Sequence, residues 1–202
     1  MFGKNPIRKP LKGSGDVLEV QEIFPTIQGE GPNTGVPAIF IRLGGCNLAC
    51  KFCDTEFESF QEMRLVEIME VVQKMSQAIS PPHPPSQSYG ETRAGGGISL
   101  VVITGGEPLR QPIERLCQEL ISKGFRVQIE TNGTLYRELP EEVEIVCSPK
   151  NTGKGYAHIR EDLLERVSAF KFIVSANDNL YLDIAEVGQS TKNIPVYIQP
   201  MD

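Results

Sequence analysis

Three cysteines, Cys46, Cys50 and Cys53, follow one another with the spacing C-x3-C-x2-C. One tight loop therefore delivers three thiolates to one place. A closed structural zinc site takes four ligands, and a fourth is hard to find here. Cys117 sits on the apolar face of a helical pattern and Cys147 inside a strand-like run, so both read as small buried hydrophobes. His83 lies in a Pro-rich stretch and His158 beyond a Gly-rich one, the usual surroundings of solvated surface residues. Cysteine thiolates are what 4Fe–4S cubes use, and three of them leave one iron without a protein ligand. An open iron can chelate a small molecule that carries adjacent amino and carboxylate groups. Gly44-Gly45, just before the first cysteine, allows the backbone a close approach to such a cluster.

A second motif stands where that chemistry needs it. Ile103-Thr104-Gly105-Gly106-Glu107-Pro108 closes the next core strand. Alone, it reads as a strand-to-helix turn with Pro108 near the helix start. Placed after the cysteine loop, it resembles the G-G-E run of the radical S-adenosylmethionine (SAM) superfamily, which exposes backbone groups to the methionine amino group. The cysteine spacing is that superfamily's signature. The resemblance implies SAM on the open iron and its one-electron cleavage to a 5′-deoxyadenosyl radical.

The elements that position these residues are strand-like runs alternating with helical periodicity, the pattern of βα units and a mainly parallel sheet. Strands are expected at Leu18–Ile23, Ala38–Leu43, Ser99–Thr104, Phe125–Glu130, Glu144–Ser148, Ala169–Val174 and Val196–Gln199. Their apolar content and lack of strict alternation suit strands covered on both faces. Leu65, Ile68, Met69, Val72 and Met75 recur at helical spacing, and the methionines read as core filler. Ile113, Leu116, Cys117, Leu120 and Ile121 do the same, in a helix stopped by Gly124. Shorter helices are expected at Glu161–Val167 and Asn177–Val187, the second ended by Gly188. Ser80–Gly97 carries four prolines and four glycines and reads as a flexible surface loop, an insertion rather than a lid or a domain boundary. The fold class expected is α/β, an abbreviated open (β/α) barrel of about six core parallel strands, in one domain over residues 1–202.

With 202 residues there is material for one sizeable core. A net charge of −6 argues against a nucleic-acid footprint or an anionic-membrane surface. No apolar run is long enough to span a bilayer, and the basic start has no apolar segment of a signal peptide. Cysteines in such a chain point to a reducing, cytoplasmic setting.

Further motifs narrow the resemblance. Ile27-Gln28-Gly29-Glu30-Gly31 precedes the first core strand, which carries Arg42; Cys53-Asp54-Thr55 ends the cluster loop. Glu130-Thr131-Asn132-Gly133-Thr134, Ser148-Pro149-Lys150 and Gln199-Pro200-Met201-Asp202 follow. From about Glu22 to the last residue, the set resembles the 7-carboxy-7-deazaguanine synthase family, which builds the 7-deazapurine core of queuosine-type nucleosides.

That resemblance implies conversion of 6-carboxy-5,6,7,8-tetrahydropterin to 7-carboxy-7-deazaguanine with loss of ammonia, with SAM reused and Mg²⁺ in the site. It assigns the pterin edge to Ile27, Gln28, Gly29 and Glu30, the substrate carboxylate to Arg42, and a hydroxyl contact to Thr104. An amide and a carboxylate suit a 2-amino-4-oxopyrimidine edge, and a guanidinium suits a carboxylate. SAM contacts fall to Phe52, Cys53, Asp54, Gly106, Ser148, Pro149, Lys150 and Gln199 to Asp202 (Gln199, Pro200, Met201, Asp202). Glu130 and Asn132 read either as ribose contacts or as a strand-end turn. Thr55 matches a Mg²⁺-binding threonine, an ion that wants hard oxygen ligands. A homodimer and an electron donor such as flavodoxin are expected partners. The family's segment beyond Q-P-M-D, which touches substrate, is expected to be absent from this sequence. Two other classes share the cysteines: a glycyl-radical-enzyme activase, which would need neither Q-G-E-G nor C-D-T, and a non-catalytic metal-binding or redox module.

Overall fold

The computed structural model describes residues 5–53, 55–78 and 97–201. Asp54, His83, Asp202 and all of the Ser80–Gly97 stretch except Gly97 lie outside the described residues.

Eight strands form one sheet: β1 (Val17–Ile27), β2 (Pro37–Leu43), β3 (Gln61–Arg64), β4 (Leu100–Gly105), β5 (Arg126–Thr131), β6 (Glu144–Cys147), β7 (Val167–Val174) and β8 (Val196–Pro200). Their order is β3-β1-β2-β4-β5-β6-β7-β8, and the sheet does not close. From β2 to β8 the pairing is parallel throughout, giving the six-stranded open α/β sheet expected. β1 and β3 are antiparallel additions. The expected strand at Leu18–Ile23 is thus a longer, antiparallel one, and the short polar β3 carries too little pattern to be seen in the sequence.

Helices α1 (Leu65–Ala78) and α2 (Glu114–Ser122) pack on one face of the sheet. Ile68 and Val72 of α1, with Leu116, Cys117 and Leu120 of α2, are fully buried against Ile39, Ile41, Ile103, Val127 and Ile129. Each such aliphatic side chain contributes roughly 1.5–3 kcal/mol by leaving water. The opposite face is different. Its apolar cluster is small, Ala38, Leu100 and Val102 with Val36 and Phe40 packed on it. Beyond it Gln128, Glu130 and Lys171 take the inward positions. Strands covered equally by apolar layers were expected; instead β5 and β7 alternate, with Val127, Ile129, Phe170 and Phe172 towards the helices and polar side chains inside. A concave sheet that must hold a polar ligand keeps its inner positions polar.

Two expected helices differ. Residues 161–167 form only the single turn α3 (Glu161–Leu164), because Val167 already begins β7. Residues 177–187 are not helical. There Asp178 Oδ1 accepts from Leu180 N, Asp183 Oδ1 from Ile184 N and Ser175 Oγ from Asn177 N, local bonds that compete with a helix. The short helix comes later, as α4 (Gln189–Lys192), so Gly188 precedes a helix rather than ending one.

At the exit of β4, Gly105 has φ +126°, and a Cβ there would lie 2.2 Å from the Leu43 carbonyl oxygen. Gly153 has φ +89° with open space around it. Gly105→Ala should therefore combine backbone strain with a clash that only a backbone shift relieves, costing at least about 3 kcal/mol. In thermal unfolding that is a loss of roughly 6–12 °C. Gly153→Ala should lose only about 1–2 kcal/mol, and equal losses would contradict the packing described.

Candidate active site

The site begins where β2 and β4 end. A Cβ on Gly106 would lie 2.0 Å from the Gly45 carbonyl oxygen, so two glycine-bearing turns press backbone to backbone. Gly106 N donates to Leu43 O (3.1 Å) and Glu107 N to Gly45 O (3.1 Å). The base of the cysteine loop is fastened again from below. Arg110, almost fully buried, donates to Gly44 O (3.0 Å) and pairs with Glu19, while Gln111 donates to Gly44 O (3.2 Å) and Glu19 O (2.9 Å).

Glu107 is fully buried. Its carboxylate accepts from Leu109 N (3.0 Å), Thr131 Oγ1 (2.7 Å) and Asn132 N (2.7 Å), joining the β4 and β5 exits. Burial pushes its pKa up, against the pull of those donors. Asn132 then passes the constraint on: its carboxamide donates to Asn47 Oδ1 (2.9 Å) and accepts from Thr134 N (3.0 Å). Glu107 is therefore a brace of the site, and Asn132 is bonded into the cluster loop.

The thiols of Cys46, Cys50 and Cys53 line one cavity with Phe52, Thr104, Gly106, Glu130, Asn132, Ser148, Lys150 and Lys171. Among the described residues, no three of His, Cys, Asp or Glu are grouped to share a single metal ion. Three cysteines on one cavity fit the thiolate set of an iron–sulfur cluster with one iron left open. Burial pushes the Cys46 thiol up to about 12 and raises that of Cys50, so cluster binding must displace protons. Lys150 donates to Ser148 Oγ (2.8 Å) and sits 5.8 Å from the centre of the Phe52 ring, which stacks edge-on against Tyr181. Desolvation, and then the charge of Lys171, pull the Lys150 pKa down.

A second set of charges shares that cavity wall. Lys171 pairs with Glu30 and donates to Glu130 Oε2 (3.0 Å). Gln28 donates to Glu130 Oε1 (2.9 Å), Gln128 donates to the same oxygen (3.3 Å), and Glu30 N donates to Gln28 Oε1 (3.2 Å). Burial pulls the Lys171 pKa down, but Glu130 and Glu30 together hold it above its ordinary value.

Half of the described residues singled out from the sequence line this cavity. Gln28 and Glu30 reach it through Glu130 and Lys171, and Pro149 is buried between two residues that line it. Arg42, Ile27, Gly29, Thr55 and Gln199 to Met201 are not among the lining residues. Arg42 pairs with Glu22 across the β1–β2 ladder and lies 5.3 Å from the Phe24 ring centre. Ile27 is largely exposed. Thr55 O accepts from Asn5 Nδ2 (2.7 Å), and Met201 N donates to Val174 O (2.8 Å) at the end of β8. Sequence reasoning missed Lys171, Arg110 and Asn5. Lys171 alone carried a signal, as a charge inside the apolar run Ala169–Val174.

The profile of the Radical SAM superfamily matches residues 40–148. The 7-carboxy-7-deazaguanine synthase of Rickettsia prowazekii is 56% identical over 202 residues, the whole of this chain and 81% of that protein. The chain belongs to the 7-carboxy-7-deazaguanine synthase family. The synthase of Rhodospirillum rubrum is 40% identical over 216 residues, again across the whole chain and 83% of that protein. The crystal structure of QueE from Escherichia coli superposes with a TM-score of 0.65 at 25% identity, covering 91% of this chain and 94% of that one. As a radical SAM enzyme of this family, the protein uses a 4Fe–4S cluster and SAM. These similarities favour neither a glycyl-radical activase nor a non-catalytic module. No helix among the described residues is long and apolar enough to cross a membrane.

Lys171 neutralises two carboxylates, the largely buried Glu130 and the partly exposed Glu30. Lys171→Met should leave both without a cation and destabilise the fold by roughly 1–3 kcal/mol at neutral pH. Denaturant unfolding at neutral pH checks this; a variant as stable as wild type would mean that the carboxylates are not what Lys171 balances.

Proposed function

We propose that this protein converts 6-carboxy-5,6,7,8-tetrahydropterin to 7-carboxy-7-deazaguanine with release of ammonia. The observation that carries the reading is the meeting of two motifs on one cavity. The amide of Gln28 and the carboxylate of Glu30 bond to Glu130 and Lys171, which share their wall with the three thiols.

When bound, the cluster and SAM supply a 5′-deoxyadenosyl radical for hydrogen abstraction. Cys46, Cys50 and Cys53 would hold the cluster. Phe52, Gly106, Ser148, Lys150 and the β8 end would bind SAM along the strand exits, where open α/β folds carry their ligands. The chain's own work is then binding and orientation. Gln28 and Glu30 offer the acceptor and donor set that a 2-amino-4-oxopyrimidine edge requires. Lys171 holds the Glu30 carboxylate in place by their ion pair, where it could accept from the pterin N–H groups. Arg42, whose residue pairs in register with Thr104, would take the substrate carboxylate. For that it must trade its contact with Glu22, an exposed pair of small worth. Thr55 would supply an oxygen to Mg²⁺. The family resemblance further supports a homodimer, an electron donor such as flavodoxin and a cytoplasmic location.

The test is anaerobic reconstitution with iron and sulfide, then SAM, dithionite and the carboxypterin, with products identified by mass. Formation of 5′-deoxyadenosine without 7-carboxy-7-deazaguanine would refute the substrate assignment. Cys50→Ala should abolish 5′-deoxyadenosine, and formation at the parent rate would remove the cysteines from their role. Thr55→Ala should weaken Mg²⁺ stimulation while leaving cluster absorbance unchanged; an unaltered Mg²⁺ response would count against Thr55.

A further inference from the structure

The N-terminal arm, residues 5–11, lies outside the motifs that define the family resemblance, yet it touches both ends of the cysteine loop. At the first ligand, Ile7 bridges Cys46 in parallel fashion and Arg8 N donates to Cys46 O (2.7 Å). At the last, the Asn5 carboxamide is engaged from both of its ends. Asn5 Oδ1 accepts from Phe57 N (3.0 Å); Asn5 Nδ2 donates to Thr55 O (2.7 Å) and faces Cys53 Sγ at 3.6 Å.

The arm is itself held. The Arg8 guanidinium forms a forked contact with Glu58 and lies 5.3 Å from the Phe60 ring centre. Leu11 N donates to Arg110 O (2.7 Å), and Arg137 donates to Leu11 O (2.7 Å). Asn5 is therefore placed by several independent contacts, so its N–H is not aimed at the sulfur by chance.

We propose that Asn5 is a positioning residue for the iron–sulfur cluster, raising its reduction potential through an N–H···S contact to Cys53 and clamping the loop that carries the three ligands. Reduction adds one electron to a cluster already ligated by anionic thiolates. A donor directed at a ligating sulfur stabilises the more negative state and moves the potential upward. The other N–H donors directed at sulfur in the loop fall on Cys46, from Leu48 N (3.5 Å) and Asn132 Nδ2 (4.0 Å), while Cys53 Sγ itself lies 3.4 Å from Thr55 O. Asn5 thus acts on a different thiolate. The inference rests on membership of the radical SAM superfamily and not on the identity of the substrate.

The experiment is a redox titration of the reconstituted full chain, with SAM and substrate absent, followed by electron paramagnetic resonance. Iron content is measured in parallel. Asn5→Leu removes the donor at similar size and should shift the midpoint to more negative potential. Asn5→Asp retains an acceptor for Phe57 N but sets a carboxylate beside the sulfur, and should shift it further in the same direction. Asn5→Gln, which keeps a carboxamide, should recover part of the change. Arg8→Ala loosens the arm without altering Asn5 and should give a smaller negative shift; it decides the matter if the Asn5 variants hold no cluster. Unchanged midpoints at full iron content, or shifts to more positive potential, would overturn the proposal. Because no pterin is present, such a failure leaves the proposed reaction untouched.

Discussion

The site depends on one close contact, that of the β4 exit against the base of the cysteine loop. Gly105 and Gly106 lie so near Leu43 and Gly45 that no Cβ fits between them. The contact fixes the loop to a strand end that the hydrophobic core already holds. Three thiolates on a free loop would lose much of their affinity to ordering entropy. Here the cost of ordering is met in folding, which places all three cysteines on one cavity. Arg110 and Gln111 extend the same logic, both donating to the Gly44 carbonyl at the base of the loop.

Charge on the inner face of the sheet is the second constraint. An isolated ion there would be costly, and it would shift its pKa or lose its charge. The protein meets this with a connected set: Lys171 between Glu30 and Glu130, with Gln28 and Gln128 on the remaining oxygen. Because the members belong to three segments distant in sequence, the network also sets where the Gln28–Glu30 segment lies relative to the thiols. Polar chemistry and fold specificity are thus supplied by the same side chains. Lys150 stays outside the network, unpaired by any carboxylate at bonding distance among the described contacts, in a setting that favours its neutral form.

How much of this was legible beforehand varies by residue type. The cysteine spacing and the G-G-E run were readable because each depends on local sequence alone, and the six parallel strands because apolar runs alternate with helical or loop segments. The helices α1 and α2 were readable from periodicity. The stretch 177–187 was misread because its apolar residues have helical spacing while its Asp and Ser side chains bind their own backbone. β3 has no hydrophobic pattern at all; only the β1 edge next to it makes it a strand.

By itself, the sequence determined the family: three cysteines spaced C-x3-C-x2-C, as the radical SAM superfamily spaces its cluster ligands, and the motifs that go with them. That spacing is local, so it is legible without reference to the rest of the fold. The tertiary structure alone decided which side chains act and which brace. Glu107 looked like part of a binding motif and is buried as the tie between two strand exits. Lys171 looked like an oddity in a strand and balances two carboxylates at the cavity. Asn5 carried no signal, because a side chain 48 positions from the sulfur it meets is brought there only by the path of the chain.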